Sequence, residues 1–155
     1  MAEVDRLVAR MVEAFDGAPW YGPSLRSALD GVTSAEAFAT PVPGAHGIAE
    51  LVRHLTWWKR VVRRRLQGDP VSDANAVDWP PLRPRSRSWR ALRADLQAAH
   101  AELVTEVRAL TPRALNRTVP GKSIPIRAML HGVADHDIYH AGQVVLLRRA
   151  LEESR

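Results

Sequence analysis

The sequence predicts an all-α fold, a four-helix bundle with long links after the first and second helices. Three observations predict it. Apolar residues recur at i, i+3, i+4 and i+7 in four separate stretches. No stretch alternates apolar and polar residues as a half-buried strand would. Glycine and proline gather between the four stretches. A chain of 155 residues with 46% hydrophobic content is expected to be one domain, 1–155, large enough to bury a sizeable core.

Helix 1 is predicted from Val4, Leu7, Val8, Met11, Val12 and Phe15, and is closed by Gly17 and Pro19. The following link, WYGPSLRSALDGVTSAEAFATPVPGAHG, is rich in turn residues, with at most one short helix near Pro23 to Leu29. Helix 2 is predicted to start near Gly47 or Ile48. It carries Leu51, Val52, Leu55, Trp58 and Val62 on one face and stops at Gly68-Asp69-Pro70. Residues 69–85 then form a proline-rich connector with no periodicity of its own.

Helix 3 opens near Ser86 or Ser88, either of which suits an N-cap. Its stripe is Trp89, Leu92, Leu96, Ala99, Leu103, Val107 and Leu110, ended by Thr111-Pro112. The loop TVPGKS leads to helix 4, with Ser123 as expected cap and Pro125 in the first turn, where proline is tolerated. Its stripe is Ile126, Met129, Leu130, Val133, His136, Asp137, His140, Val144, Leu147 and Leu151.

Cysteine is absent, which excludes disulfides and a protein thiolate. A nucleophilic thiol would have to arrive on a substrate, and a metal would have to take nitrogen or oxygen ligands. The opening MAEVDRLVARMVEAF is broken by charge too often for a signal peptide. No run approaches the length of a membrane span, so a cytoplasmic protein is expected. The net charge of +5 and pI near 10.6 favour acidic partners. The arginines gather at Arg60, Arg63, Arg64 and Arg65, then at Arg83, Arg85, Arg87, Arg90 and Arg93. Neither group shows a helix-turn-helix pattern or an interleaved aromatic platform, so a solvated basic surface is the simpler reading and nucleic acid is not an expected partner.

The motif that carries chemistry is HDIYHAGQVVLL, residues 136–147. Four helical positions rotate by only about 40°, so His136 and His140 point the same way, toward the core. One helix uses this spacing to give two nitrogens to one metal. A third ligand must come from the inner face of another helix, and His54, between Leu51 and Trp58, is the candidate. Three inward imidazoles with an open position would let a metal activate water or a substrate thiol. Nitrogen-only ligation suits zinc, nickel, copper or iron rather than magnesium or calcium.

Other residues are placed around this site. Asp137 and Gln143 flank the pair and could bond a ligand imidazole from a neighbouring turn. Trp58 and Tyr139 could wall the site, and His46 could line a pocket mouth. His131 lies about 140° around the helix from His136 and should not take part. His100, at the border of the helix 3 stripe, is a candidate fourth ligand or a packing residue.

With these residues in place, the chain resembles the DinB/YfiT-like family. HGIAELVRHLTWWKRVVRRRLQG resembles that family's second helix, with His54 at the ligand position. HDIYHAGQV resembles its fourth-helix signature, and WYGPSLRSALDGVTSAEAF its first loop. The resemblance covers nearly the whole chain. It implies a four-helix bundle holding a divalent metal, zinc or nickel foremost with iron a further option, on His54, His136 and His140. It also implies a homodimer. Family members include transferases that use bacillithiol or mycothiol and a mycothiol-dependent isomerase. The expected function is therefore S-transfer from a low-molecular-weight thiol to a small-molecule substrate.

Such thiols often carry carboxylates, which Arg53, Arg60 or Arg127 could bind. The chain departs from the family at Trp57-Trp58-Lys59, where many relatives carry an acidic residue. Two alternatives stand beside thiol transfer. One is metal-dependent hydrolysis with Asp137, Asp135 or Glu50 as base. The other is a non-catalytic metal-binding stress protein, which a fourth protein ligand would favour.

Overall fold

The structure is a computed structural model that describes residues 2–79, 82 and 88–153. Among the described residues it is all helical, with a single isolated bridge between Thr118 and Pro125 and no strand. Four long helices form the frame: α1 (Glu3–Asp16), α4 (Ile48–Leu66), α5 (Trp89–Arg108) and α6 (Ile126–Glu153). Two short ones, α2 (Leu25–Leu29) and α3 (Ser34–Phe38), sit in the first link. The long helices close a ring: α1 and α4 each pack against both α5 and α6. This is the bundle that the four periodic stretches predict, and among the described residues no helix is long and apolar enough to cross a membrane.

The helix ends follow local chemistry. The Glu50 carboxylate accepts the Gly47 N–H at 2.8 Å and starts α4. Ser88 Oγ accepts the Ala91 N–H at 3.2 Å and starts α5. The alternative cap, Ser86, and Arg83, Arg85 and Arg87 lie outside the described residues. Helix α6 does not start on Ser123. The carbonyl of Pro125 accepts from Ala128 and Met129, and the Ile126 N–H is taken by Arg117. Proline, which has no N–H of its own to satisfy, therefore sits at the helix entrance.

The first link holds two short helices rather than at most one. Ser24 Oγ accepts from Ser27 at the start of α2. At the start of α3, Thr33 Oγ1 accepts the Glu36 N–H while Glu36 accepts the Thr33 N–H at 2.8 Å. This is the reciprocal box written in the sequence as TSAE. The link is tied down by Trp89 Nε1, which donates to the Val32 carbonyl at 2.8 Å, and by Arg148, which donates to Ala28.

Two apolar clusters fill the bundle. One gathers Phe15, Leu29, Leu55, Leu92, Val144 and their neighbours. The other gathers Leu7, Met11, Leu103, Val107, Leu130 and theirs. Of the residues expected on the α1 stripe, Val12 is exposed while Ala14 is buried in its place. The interior also contains an unusual set of polar side chains: His54, Lys59, His100, Asp137 and His140 are all buried. Buried charge and imidazole need partners, and those partners define the site.

Candidate metal centre

His54 comes from α4, and His136 and His140 come from one face of α6. Their side chains meet. His54 Nε2 and His140 Nε2 each lie 2.9 Å from His136 Nε2. One ligand atom from each residue falls within 4.8 Å of the others, and among the described residues no fourth His, Asp or Glu joins them.

The outer nitrogens of two rings are anchored. His54 Nδ1 lies 2.9 Å from an oxygen of the Asp78 carboxylate and 3.2 Å from the Asp78 carbonyl. His140 Nδ1 lies 2.6 Å from Gln143 Oε1. All these partners are acceptors, so each Nδ1 carries its ring's hydrogen and each Nε2 presents a lone pair inward. His136 Nε2 can donate to at most one of its two neighbours. One of the 2.9 Å contacts is then lone pair against lone pair, an arrangement that a shared cation relieves.

Burial also keeps the rings neutral. It lowers the pKa of His54 against the partial offset of Asp78. It drives His136 down to about 3, with His140, His54 and Lys59 adding to the shift. It drives His140 down to about 4, against the pull of the Gln143 bond. Neutral imidazole is the form that binds a metal. Three neutral nitrogen donors, two of them held in orientation by their outer partners, therefore fit a divalent transition metal.

Asp78 and Trp79 were not legible as site residues, because they lie in the aperiodic connector after α4. The connector is seated by the two indoles of α4. Trp57 Nε1 donates to the Ala74 carbonyl at 3.2 Å. Trp58 Nε1 donates to the Asp78 carboxylate. Asp78 thus bonds both Trp58 and His54. Trp79 follows it and stacks on His54 (centroids 4.0 Å, 9° between planes) and on His46 (3.6 Å, 4°).

A cleft of about 380 Å³ opens beside the cluster, with His140, Gln143, Trp79, Tyr139 and His46 in its lining. Tyr139 also meets His140 edge-on, and Trp58 meets His54 edge-on from outside the cleft.

Several sequence-based placements change. Asp137 does not bond a ligand imidazole; both its oxygens are taken by Lys59 Nζ, at 2.7 and 2.6 Å. His100 does not join the cluster. It is buried on α5, stacked on Phe15 at 3.8 Å, with its Nδ1 unbonded. His131 is exposed, as its position around the helix requires. Arg53, Arg60 and Arg127 are not among the cleft-lining residues. Arg127 bonds Asn116 and Glu3, 13 residues before His140 and so roughly 20 Å away along α6. The basic end of α4 is engaged within the fold: Arg63 pairs with Glu102, Arg64 with Asp69, and the buried Arg65 lies over Trp58.

Among curated proteins none matches the chain at a significant level. The family model described as the DinB superfamily matches residues 23–144, a span that contains α2 to α5, the connector and all three converging histidines. The chain belongs to the DinB superfamily.

Proposed function

We propose that this protein is a metal-dependent enzyme that joins a low-molecular-weight thiol to a small-molecule electrophile. In this reading His54, His136 and His140 hold one divalent transition metal, zinc or nickel foremost. The observation that carries the reading is the convergence of three imidazole nitrogens, with no fourth protein donor among the described residues, beside an open cleft. Bound there, such a metal supplies Lewis acidity that lowers the pKa of a coordinated thiol toward neutrality.

The chain's own residues supply orientation and proton handling. Asp78 and Gln143 fix the His54 and His140 rings with their Nε2 atoms inward. Trp79 backs His54 and limits its rotation. His46 lines the cleft with its Nδ1 3.4 Å from Glu50, and in this reading it would accept the thiol proton and pass it to solvent. In the net reaction the thiol S–H bond breaks and a sulfur–carbon bond forms. The leaving group departs with its bonding electrons. The partners are the thiol, the small-molecule substrate and, by family analogy, a second copy of the chain. The absence of cysteine agrees with a borrowed sulfur nucleophile.

The occupations of other residues favour this reading over its alternatives. The carboxylates expected as bases for hydrolysis are all engaged elsewhere. Asp135 is paired with Arg10, Asp137 with Lys59, and Glu50 caps α4. A structural metal asks for a fourth protein ligand, and His100 stacks on Phe15 instead.

The test is a thioether-forming assay. Zinc- or nickel-loaded protein is mixed with bacillithiol or mycothiol and 1-chloro-2,4-dinitrobenzene, and arylation is followed by absorbance. The expected result is a rate above background that is lost in His136→Ala and reduced in His46→Gln. Background rates with both thiols and both metals would overturn the reading.

A further inference from the structure

The cleft beside the three histidines has a chemical character that names its ligand. We infer that it binds the uncharged, apolar or aromatic part of the substrate, and that it selects against anionic groups. This inference rests on the functional reading above for the word substrate, but its physical basis lies in the cleft alone.

The walls come from four places in the chain. The first link contributes Val42, Ala45 and His46; α4 contributes Leu51; the connector contributes Trp79; and α6 contributes the rest. On α6 the lining positions are Tyr139, His140, Gln143, Leu146 and Leu147. These are spaced by 1, 3, 3 and 1 residues, so they form one helical face turned toward the opening. Four of the wall residues are large, apolar or aromatic, and unusually exposed: Val42 41%, Trp79 37%, Tyr139 64% and Leu146 64%. Scattered exposed apolar residues need no explanation, but a set that converges on one concave site does.

The polar groups of the cleft are few and mostly engaged. Gln143 Oε1 is bonded to His140 Nδ1, and His46 Nδ1 faces Glu50. No lysine or arginine is among the described lining residues, although the chain carries a net charge of +5. Away from the three histidines, an anionic group entering this cleft would lose hydration and meet no lysine or arginine among the described lining residues, which is costly. An uncharged arene would lose little and would gain the indole edge and the leucine faces. A cleft of about 380 Å³ suits a small molecule or one ring system of a larger one.

The experiment uses a matched pair of fluorophores and the full chain. N-Phenyl-1-naphthylamine is neutral; 8-anilino-1-naphthalenesulfonate is the same scaffold with an anionic sulfonate. Both brighten in apolar surroundings. The expected result is saturable binding of the neutral probe and roughly tenfold or weaker binding of the sulfonate, against the direction that net charge alone would give. Leu146→Asp and Val42→Asp, both at exposed positions, should each weaken the neutral probe by roughly tenfold. Val12→Asp, an exposed apolar position on α1 outside the cleft, should leave it unchanged. Equal or tighter binding of the sulfonate, or unchanged affinity in Leu146→Asp, would overturn the inference.

Metal content of the same preparations separates the two claims. Metal retained with no selective probe binding would refute the apolar subsite and leave the metal reading standing. Selective probe binding in a protein that takes up no metal would do the reverse.

Discussion

Lys59 Nζ on α4 lies 2.7 and 2.6 Å from the two carboxylate oxygens of Asp137 on α6, with both side chains about 1% exposed. The pair sits five residues after His54 and one after His136, so it fixes α4 against α6 next to the converging imidazoles. Burial pushes the Asp137 carboxyl upward, and Lys59 pulls it back. Removing one partner leaves an uncompensated buried charge, which typically costs about 3–5 kcal/mol. Lys59→Met and Asp137→Leu should each destabilise the fold on that scale in urea unfolding. The double variant should recover most of the loss, because an apolar pair of similar volume needs no desolvation. It should nevertheless bind metal more weakly than the wild type, since α4 and α6 would no longer be held in register. Full additivity of the two single losses would show that the pair is not coupled.

His100 gives a pH prediction. Burial, with Lys59 adding to it, pushes this imidazole down to about 3, while an unfolded histidine titrates near 6.5. Between these values the unfolded chain holds a proton that the folded chain lacks. Stability contributed by the neutral ring is therefore complete above about 6.5 and is lost as pH falls toward 3. His100→Leu removes that titrating group, and its Nδ1 has no partner to lose. The fall in stability between pH 6 and 4 should become shallower by about 1.4 kcal/mol per pH unit. An unchanged slope in denaturation at stepped pH would contradict the placement of His100 in the core.

Asp78 and Gln143 hold the two anchored rings. Asp78→Ala removes the carboxylate partner of His54 Nδ1, leaving only the Asp78 carbonyl, and also removes the acceptor of the Trp58 indole. Gln143→Leu frees His140 Nδ1. Outer partners of this kind are worth about 10–100-fold in metal affinity. Competition with a chromogenic chelator should show each variant weakened on that scale, with helical content by circular dichroism unchanged.

The Thr33–Glu36 box should be measurable as well. Thr33→Ala removes the acceptor for the Glu36 N–H, and about 1 kcal/mol of stability should be lost. Thermal unfolding of Thr33→Ser, which keeps the hydroxyl, should stay close to wild type.

The frame and the three converging histidines could be read from sequence because they sit on regular helices, where spacing dictates direction. His136 and His140 share a face by arithmetic, and His54 lies on a core stripe. Asp78 and Trp79 could not be read that way. Their positions depend on hydrogen bonds from Trp57 and Trp58 to a connector with no period. Lys59 is legible only as part of Trp57-Trp58-Lys59, the segment after His54 in which the sequence departs from the pattern of the family it resembles. Its partner could not be found from either helix alone, because the match lies across 78 residues of chain. Helix α3 was legible in principle: TSAE carries the capping signature, but five residues are too few for a periodic signal.

The central claim is that His54, His136 and His140 hold one metal. It is tested most directly by elemental mass spectrometry of tag-free protein, comparing wild type with His54→Ala and His136→Ala. The account predicts about one transition metal per chain in the wild type, from the three-ligand arithmetic of a single site, and loss of it in both variants. Undiminished metal in either variant, or none in the wild type after zinc and nickel are offered, would contradict it.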